Sequence, residues 1–136
     1  MTQNIVCSVT GTQHDTEGGT NTDVLKAKGS YFFRNNKHFV ITANEGHTAK
    51  YTFNHRYCEL VRDGNLNSRL HFEKGHECVC DYRTSYGNIL LTFKTDSVTL
   101  IENQNRIEVS LRYSVWDAEN LISNNDTVIL IEEDRN

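Results

Sequence analysis

From Val61 to Ile101 the chain breaks into short apolar-rich runs separated by glycine turns about every 8–12 residues, the spacing of an all-β barrel or sandwich. That punctuation leaves little room for helices. No segment carries a convincing 3.6-residue period, and residues 118–122 are the only candidate for a short helical turn. Proline is absent, so turns must rest on Gly, Asn and Asp, which sit where turns are needed. Nothing in the stretch is a self-sufficient catalytic or ligand motif.

Residues 5–12 alternate, with Ile5, Cys7 and Val9 on one face. A polar loop around Gly18-Gly19 leads to a long strand over 23–34, in which Leu25, Ala27, Gly29, Tyr31 and Phe33 share a parity. Gly29 in mid-strand predicts a bulge or sharp bend. Asn35-Asn36 predicts a two-residue hairpin, since Asn tolerates positive φ. Residues 38–44 return, and 45–47 turn again. A strand over 51–62, with an irregularity near Asn54-His55, ends at Asp63-Gly64, a predicted hairpin tip, and 69–73 follow with Leu70 and Phe72 on one face.

After the Lys74-Gly75 turn, a strand over 76–86 carries His76, Cys78, Cys80, Tyr82, Thr84 and Tyr86 on the face expected to point inward. Gly87-Asn88 is the next predicted turn. Residues 89–101 are apolar at odd positions through Phe93 and at even positions from Val98, which predicts a bulge near Thr95-Asp96. Residues 106–116 give the cleanest alternation, with Ile107, Val109, Leu111, Tyr113 and Val115 inward and Arg112 outward. Ser123 to Asp126 is a predicted turn before a last strand over 127–131. About eight to ten antiparallel strands in up-and-down order close most economically into a barrel, wide enough to be packed solid or to hold one small ligand.

At 136 residues the chain makes one domain, residues 1–136, with a core that needs no staples. The net charge of −4 argues against nucleic acid and against an anionic membrane surface. No stretch approaches the ~20 apolar residues of a membrane helix. The first eight residues lack the pattern of a signal peptide, so a cytoplasmic location is expected. Cys7, Cys58, Cys78 and Cys80 are then expected as reduced thiols packed like small apolar groups.

Several runs together resemble a known family. They are Gly29-Ser30-Tyr31-Phe32-Phe33, Arg62-Asp63-Gly64, Leu70-His71-Phe72 followed by Gly75, Tyr82-Arg83-Thr84-Ser85-Tyr86-Gly87 followed by Leu91 and Thr95, and the strand from Ile107 to Tyr113. In this order the chain is similar to the YwiB-like family, small bacterial proteins of unknown function with a calycin-like (lipocalin-type) β-barrel. The resemblance spans essentially the whole chain and implies a barrel of that type. It supplies no activity.

His71, His76, Cys78 and Cys80 form a His-x4-His-x-Cys-x-Cys set of ligands that suit zinc. A Cys-x-Cys pair on a flat strand lacks the knuckle that wraps a structural zinc, so buried thiols and a surface histidine are the favoured reading. Cys58 or Cys80 with His55 or His71 would make a nucleophilic pair, but no local signature surrounds them. Tyr31, Phe33, Tyr82, Thr84, Tyr86 and Tyr113 would line a barrel mouth with apolar bodies and hydroxyl tips, or simply fill the barrel. Arg62, Arg34 and Arg112 are candidates to fix an anionic group in the mouth: Arg62 shares the parity of Leu60 and would point inward at the strand end, Arg112 faces out, and a solvated or ion-paired arginine is the favoured reading for each.

The leading expectation is non-catalytic binding of a small amphipathic or apolar molecule in the barrel mouth. The alternative is a protein–protein interaction module with a packed barrel. A Cys/His or zinc-dependent enzyme ranks third. No cofactor, nucleic-acid or membrane partner is expected, and the chain is expected as a monomer or weak homodimer.

Overall fold

The computed structural model describes residues 1–64, 67–84 and 87–135, with 82–84 described by backbone alone. Ten strands follow one another: β1 (Asn4–Asp15), β2 (Thr20–Arg34), β3 (Lys37–Asn44), β4 (His47–Phe53), β5 (Tyr57–Gly64), β6 (Ser68–Glu73), β7 (Glu77–Thr84), β8 (Gly87–Glu102), β9 (Arg106–Asp117) and β10 (Asn120–Glu133). They form one antiparallel sheet in the order β6-β5-β4-β3-β2-β1-β10-β9-β8-β7, rolled into a nearly closed barrel. Two meanders, β1–β6 and β7–β10, meet where β1 pairs β10 from Ile5↔Glu133 to Asp15↔Ser123. The seam lies between β6 and β7, where no ladder joins the two edges among the described residues.

Alternation places the core. On β9, Ile107, Val109 and Leu111 are buried while Arg112 faces out and pairs with Asp126 at 2.9 Å. Cys80 on β7 is buried and Val79 beside it is exposed, so the inward face of this strand is the even one at Cys80, whereas His76, expected on the same face, is exposed. The barrel centre is packed by Phe53, Ile5, Val40, Cys58, Val109, Ile129 and Ile131. Each such burial contributes about 1.5–3 kcal/mol.

Asn35 and Asn36 both take positive φ, 55° and 59°, and turn the β2–β3 hairpin in two residues. The parity switch in β8 is a register shift between Thr95 and Ser97 against β9. Gly29 carries no register shift; it is where β2, still paired to Ile5 of β1, also begins to pair β3 at Thr42. A Cβ there would lie 2.3 Å from the Ile41 carbonyl oxygen, so glycine is required by the close approach of the two strands.

The expected strand over 51–62 is two: it breaks at residues 54–56, where β4 turns into β5 and Phe53 pairs Cys58. Four turn expectations are also corrected. Asp63-Gly64 belongs to β5, paired to Thr48 and His47 of β4, and the connection to β6 follows it. Gly87-Asn88 opens β8, opposite Thr84 and Arg83. Ser123 to Asp126 lies inside β10. Residues 118–122 contain no helical turn: Ala118, at φ 52°, and Glu119 make the β9–β10 hairpin, and a register shift between Leu121 and Ser123 follows.

Candidate functional site

Arg62 sits near the end of β5, with the inward parity of Cys58 and Leu60. It borders a cavity of about 510 Å3 inside the barrel, walled by Leu60, Leu70, Phe72, Phe93, Leu111 and Ile129. A second cavity of about 330 Å3, reaching the β3–β4 hairpin at Asn44 and His47, shares Leu25, Tyr51 and Arg62 with the first. Volumes of this size fall in the ~300–1,000 Å3 range of small-molecule sites. The barrel therefore has an open, mostly apolar mouth with a cation at its neck.

That cation is uncommitted. Among the described residues Arg62 has no carboxylate partner. Tyr51, only 2% exposed, lines both cavities, and among the described residues no hydrogen bond satisfies its hydroxyl. Tyr113 is tied to Thr127 by a 3.1 Å hydrogen bond between hydroxyls. Burial pushes the Tyr51 hydroxyl well above its ordinary range, an effect that Cys7 reinforces and the Arg62 charge opposes. Burial likewise raises Tyr113, against the Thr127 hydrogen bond and the same arginine. The Arg62 charge thus acts on both rings at the neck. Asp23, exposed on β2, stands at the rim, and among the described residues it pairs with no cation.

The opposite end is closed by a polar clasp. Buried His38 of β3 reaches Glu102 at the end of β8, a strand across the barrel rather than beside it. A carboxylate only accepts, so His38 Nε2–H donates to Glu102 Oε1, while Nδ1 lies 2.8 Å from the Tyr31 hydroxyl oxygen. Phe53 stacks on the His38 ring at 5.0 Å, and His55 Nε2 stands 3.6 Å from the other Glu102 oxygen. A depression of about 750 Å3 lies over this end, but its polar groups satisfy one another.

The residues singled out in the sequence divide between these two ends. Arg62 and Tyr113 meet at the mouth. Tyr31 and Phe33 do not join them: Tyr31 belongs to the clasp, and Phe33, 55% exposed, packs on His38 at 4.8 Å. The backbone of Tyr82 and Thr84 closes β7, opposite Ile89 and Gly87, their side chains lie outside the description, and Tyr86 lies outside the described residues. Arg34 is exposed. Tyr51 carries no signal in the sequence beyond being an aromatic residue of a strand, and no local pattern marks His38 or Glu102.

The zinc set does not converge. Cys80 is buried inside; His71 lies on the outer face, with Nε2 2.9 Å from a Glu73 carboxylate oxygen and Nδ1 3.4 Å from one of Glu59; exposed His76 also turns to Glu73. The His71 hydrogen bond, with the charges of His76 and Arg56, lowers the Glu73 carboxyl against its slight desolvation. Among the described residues no group of three or more His, Cys, Asp or Glu is arranged to hold a metal.

The thiols are packed as small apolar groups. Burial pushes Cys7 and Cys58 up to about 12, so neither is a thiolate near neutral pH. Iodoacetamide is therefore expected to label native protein first at half-buried Cys78, and Cys7, Cys58 and Cys80 only on unfolding. Peptide mass mapping checks this; rapid labelling of Cys58 in the native state would contradict its burial. Because these folded thiols ionise above the ordinary 9.0, their contribution to stability is present below pH 9.0 and lost as pH rises toward about 12.

Strand order, register and near closure define the class: a ten-stranded, antiparallel, up-and-down β-barrel. A profile of the family described as "Domain of unknown function (DUF1934)" matches residues 7–129, and the chain belongs to that family. The crystal structure of the ywiB protein from Bacillus subtilis is similar at a TM-score of 0.82, over 97% of this chain and 92% of that one. With 16% sequence identity, that likeness concerns the fold, and it agrees with the YwiB-like resemblance. A search of curated proteins finds no match. No helix is long and apolar enough to cross a membrane.

Proposed function

We propose that the barrel binds a small amphipathic or apolar molecule in its mouth, without catalysis and without a cofactor, as calycin-type barrels are built to do. The observation that carries this reading is the interior cavity of about 510 Å3, whose walls are leucine, isoleucine and aromatic side chains and whose neck is polar. Four free cysteines, three of them buried, support a reducing, cytoplasmic location. The weak negative charge supports a protein that engages neither nucleic acid nor membrane, as a monomer or weak homodimer.

The test is mass spectrometry of freshly purified protein, native against denatured. Extra mass of a small organic molecule, released on denaturation, is the expected result. A bare native mass, together with no uptake of added amphiphiles, would overturn it. One observation favours a second reading: among the described residues no ladder joins β6 to β7 at the seam, and such edges would suit strand addition by a partner protein. A co-purifying polypeptide in the same spectrum would support that reading instead.

A further inference from the structure

The mouth combines an apolar interior with one arginine that has no carboxylate partner among the described residues and one tyrosine, 2% exposed, that lines the cavity and makes no side-chain hydrogen bond among them. Both line both cavities, so they stand where the two volumes join. Both present N–H or O–H donors to an apolar space in which the described residues offer them no acceptor. The missing partner is therefore an acceptor that carries negative charge and arrives from outside the chain.

We propose, resting on the binding reading above, that the mouth selects a single-tailed amphiphile with a monoanionic, carboxylate-type head, held by Arg62 and Tyr51 while its tail fills the barrel. The guanidinium fork donates two parallel N–H bonds to the two carboxylate oxygens, and the Tyr51 O–H donates a third. Charge count separates this head from a phosphate. One arginine balances one negative charge, whereas a dianion would carry surplus charge into an apolar neck with Asp23 already at the rim. The tail lies against Leu60, Phe72 and Leu111, which supply apolar surface and no donors.

The experiment titrates the full chain, by calorimetry, with decanoate and tetradecanoate and with the primary alcohols of the same lengths. The carboxylates are expected to bind about ten- to hundredfold more tightly than the alcohols, the worth of hydrogen bonds to a charged group. Arg62→Gln is expected to erase that gap while leaving alcohol binding in place, and Arg62→Lys to restore part of it. Tyr51→Phe is expected to narrow the gap without loss of thermal stability, because the hydroxyl it removes has no partner among the described residues. Equal affinity for carboxylate and alcohol, or a gap that survives Arg62→Gln, would overturn the anionic head and leave the binding reading standing. If neither class binds, both readings fall together.

Discussion

Replacing Phe53 with alanine is expected to destabilise the barrel by about 3–5 kcal/mol, the largest single effect in this chain. The ring is wholly buried, and it is the platform under the His38 imidazole, 5.0 Å away and 13° from parallel. Its backbone pairs His38 on one side and Cys58 on the other, so the vacated space opens between three strands that are already hydrogen-bonded in place. Little collapse is available, and the transfer and cavity contributions add. The clasp to Glu102 also loses its support. A drop on the order of 10 °C in the thermal midpoint, with a matching fall in the urea midpoint, is the measurable result. A loss below about 1 kcal/mol would place Phe53 outside the core.

Leu111→Ala comes second, with an expected loss of about 2–5 kcal/mol. Leu111 is 3% exposed and belongs to the cleanest alternating strand, but it also walls the mouth cavity. The cavity is open on that side already, so the loss belongs in the lower half of the range. The same truncation enlarges the interior, so the variant is expected to regain part of its stability from a bulkier amphiphile by mass action. Urea titration with and without added amphiphile checks both. A stability change within about 0.5 kcal/mol would mean that the side chain faces water and that the inward parity of β9 is reversed.

Much of the architecture is legible from parity alone. The switch between Phe93 and Val98 predicts the register shift at Thr95–Ser97 because inward residues must stay inward when one residue is added. Turn chemistry is less discriminating. Gly64 at φ 134° and Ser123 within β10 have the residue types of tips, yet both are paired in ladders. The β4–β5 ladder runs as far as Gly64 and the β9–β10 ladder runs past Ser123: glycine supplies positive φ at the end of a strand as readily as at its turn, and serine is small enough to sit at 2% exposure behind a register shift. What ends a strand is the length of its neighbour, which no local pattern records.

The site was legible by face and not by height. Alternation tells whether a side chain points inward, so Arg62, Tyr31 and Phe33 are all read as barrel-facing. It does not tell how far along the axis each one lies, which depends on strand tilt and stagger. Arg62 therefore reaches the mouth while Tyr31 goes to the closed end. The His38–Glu102 contact spans 64 residues and two non-adjacent strands, and it exists only once the sheet has rolled up.

The pairing of β1 with β10 has a kinetic consequence. Every ladder within the two meanders joins strands next to each other in the chain and can grow from its own hairpin. The β1–β10 ladder must instead bring Ile5 to Glu133, nearly the full length of the chain. Loop-closure entropy makes this the slow, rate-setting encounter, and it delays the barrel until the last strand has been made. Until then the β1–β6 meander carries a third, temporary edge along β1, open to any extended segment nearby. The central ladder of the folded barrel is thus the one most exposed to mispairing while the chain is being synthesised.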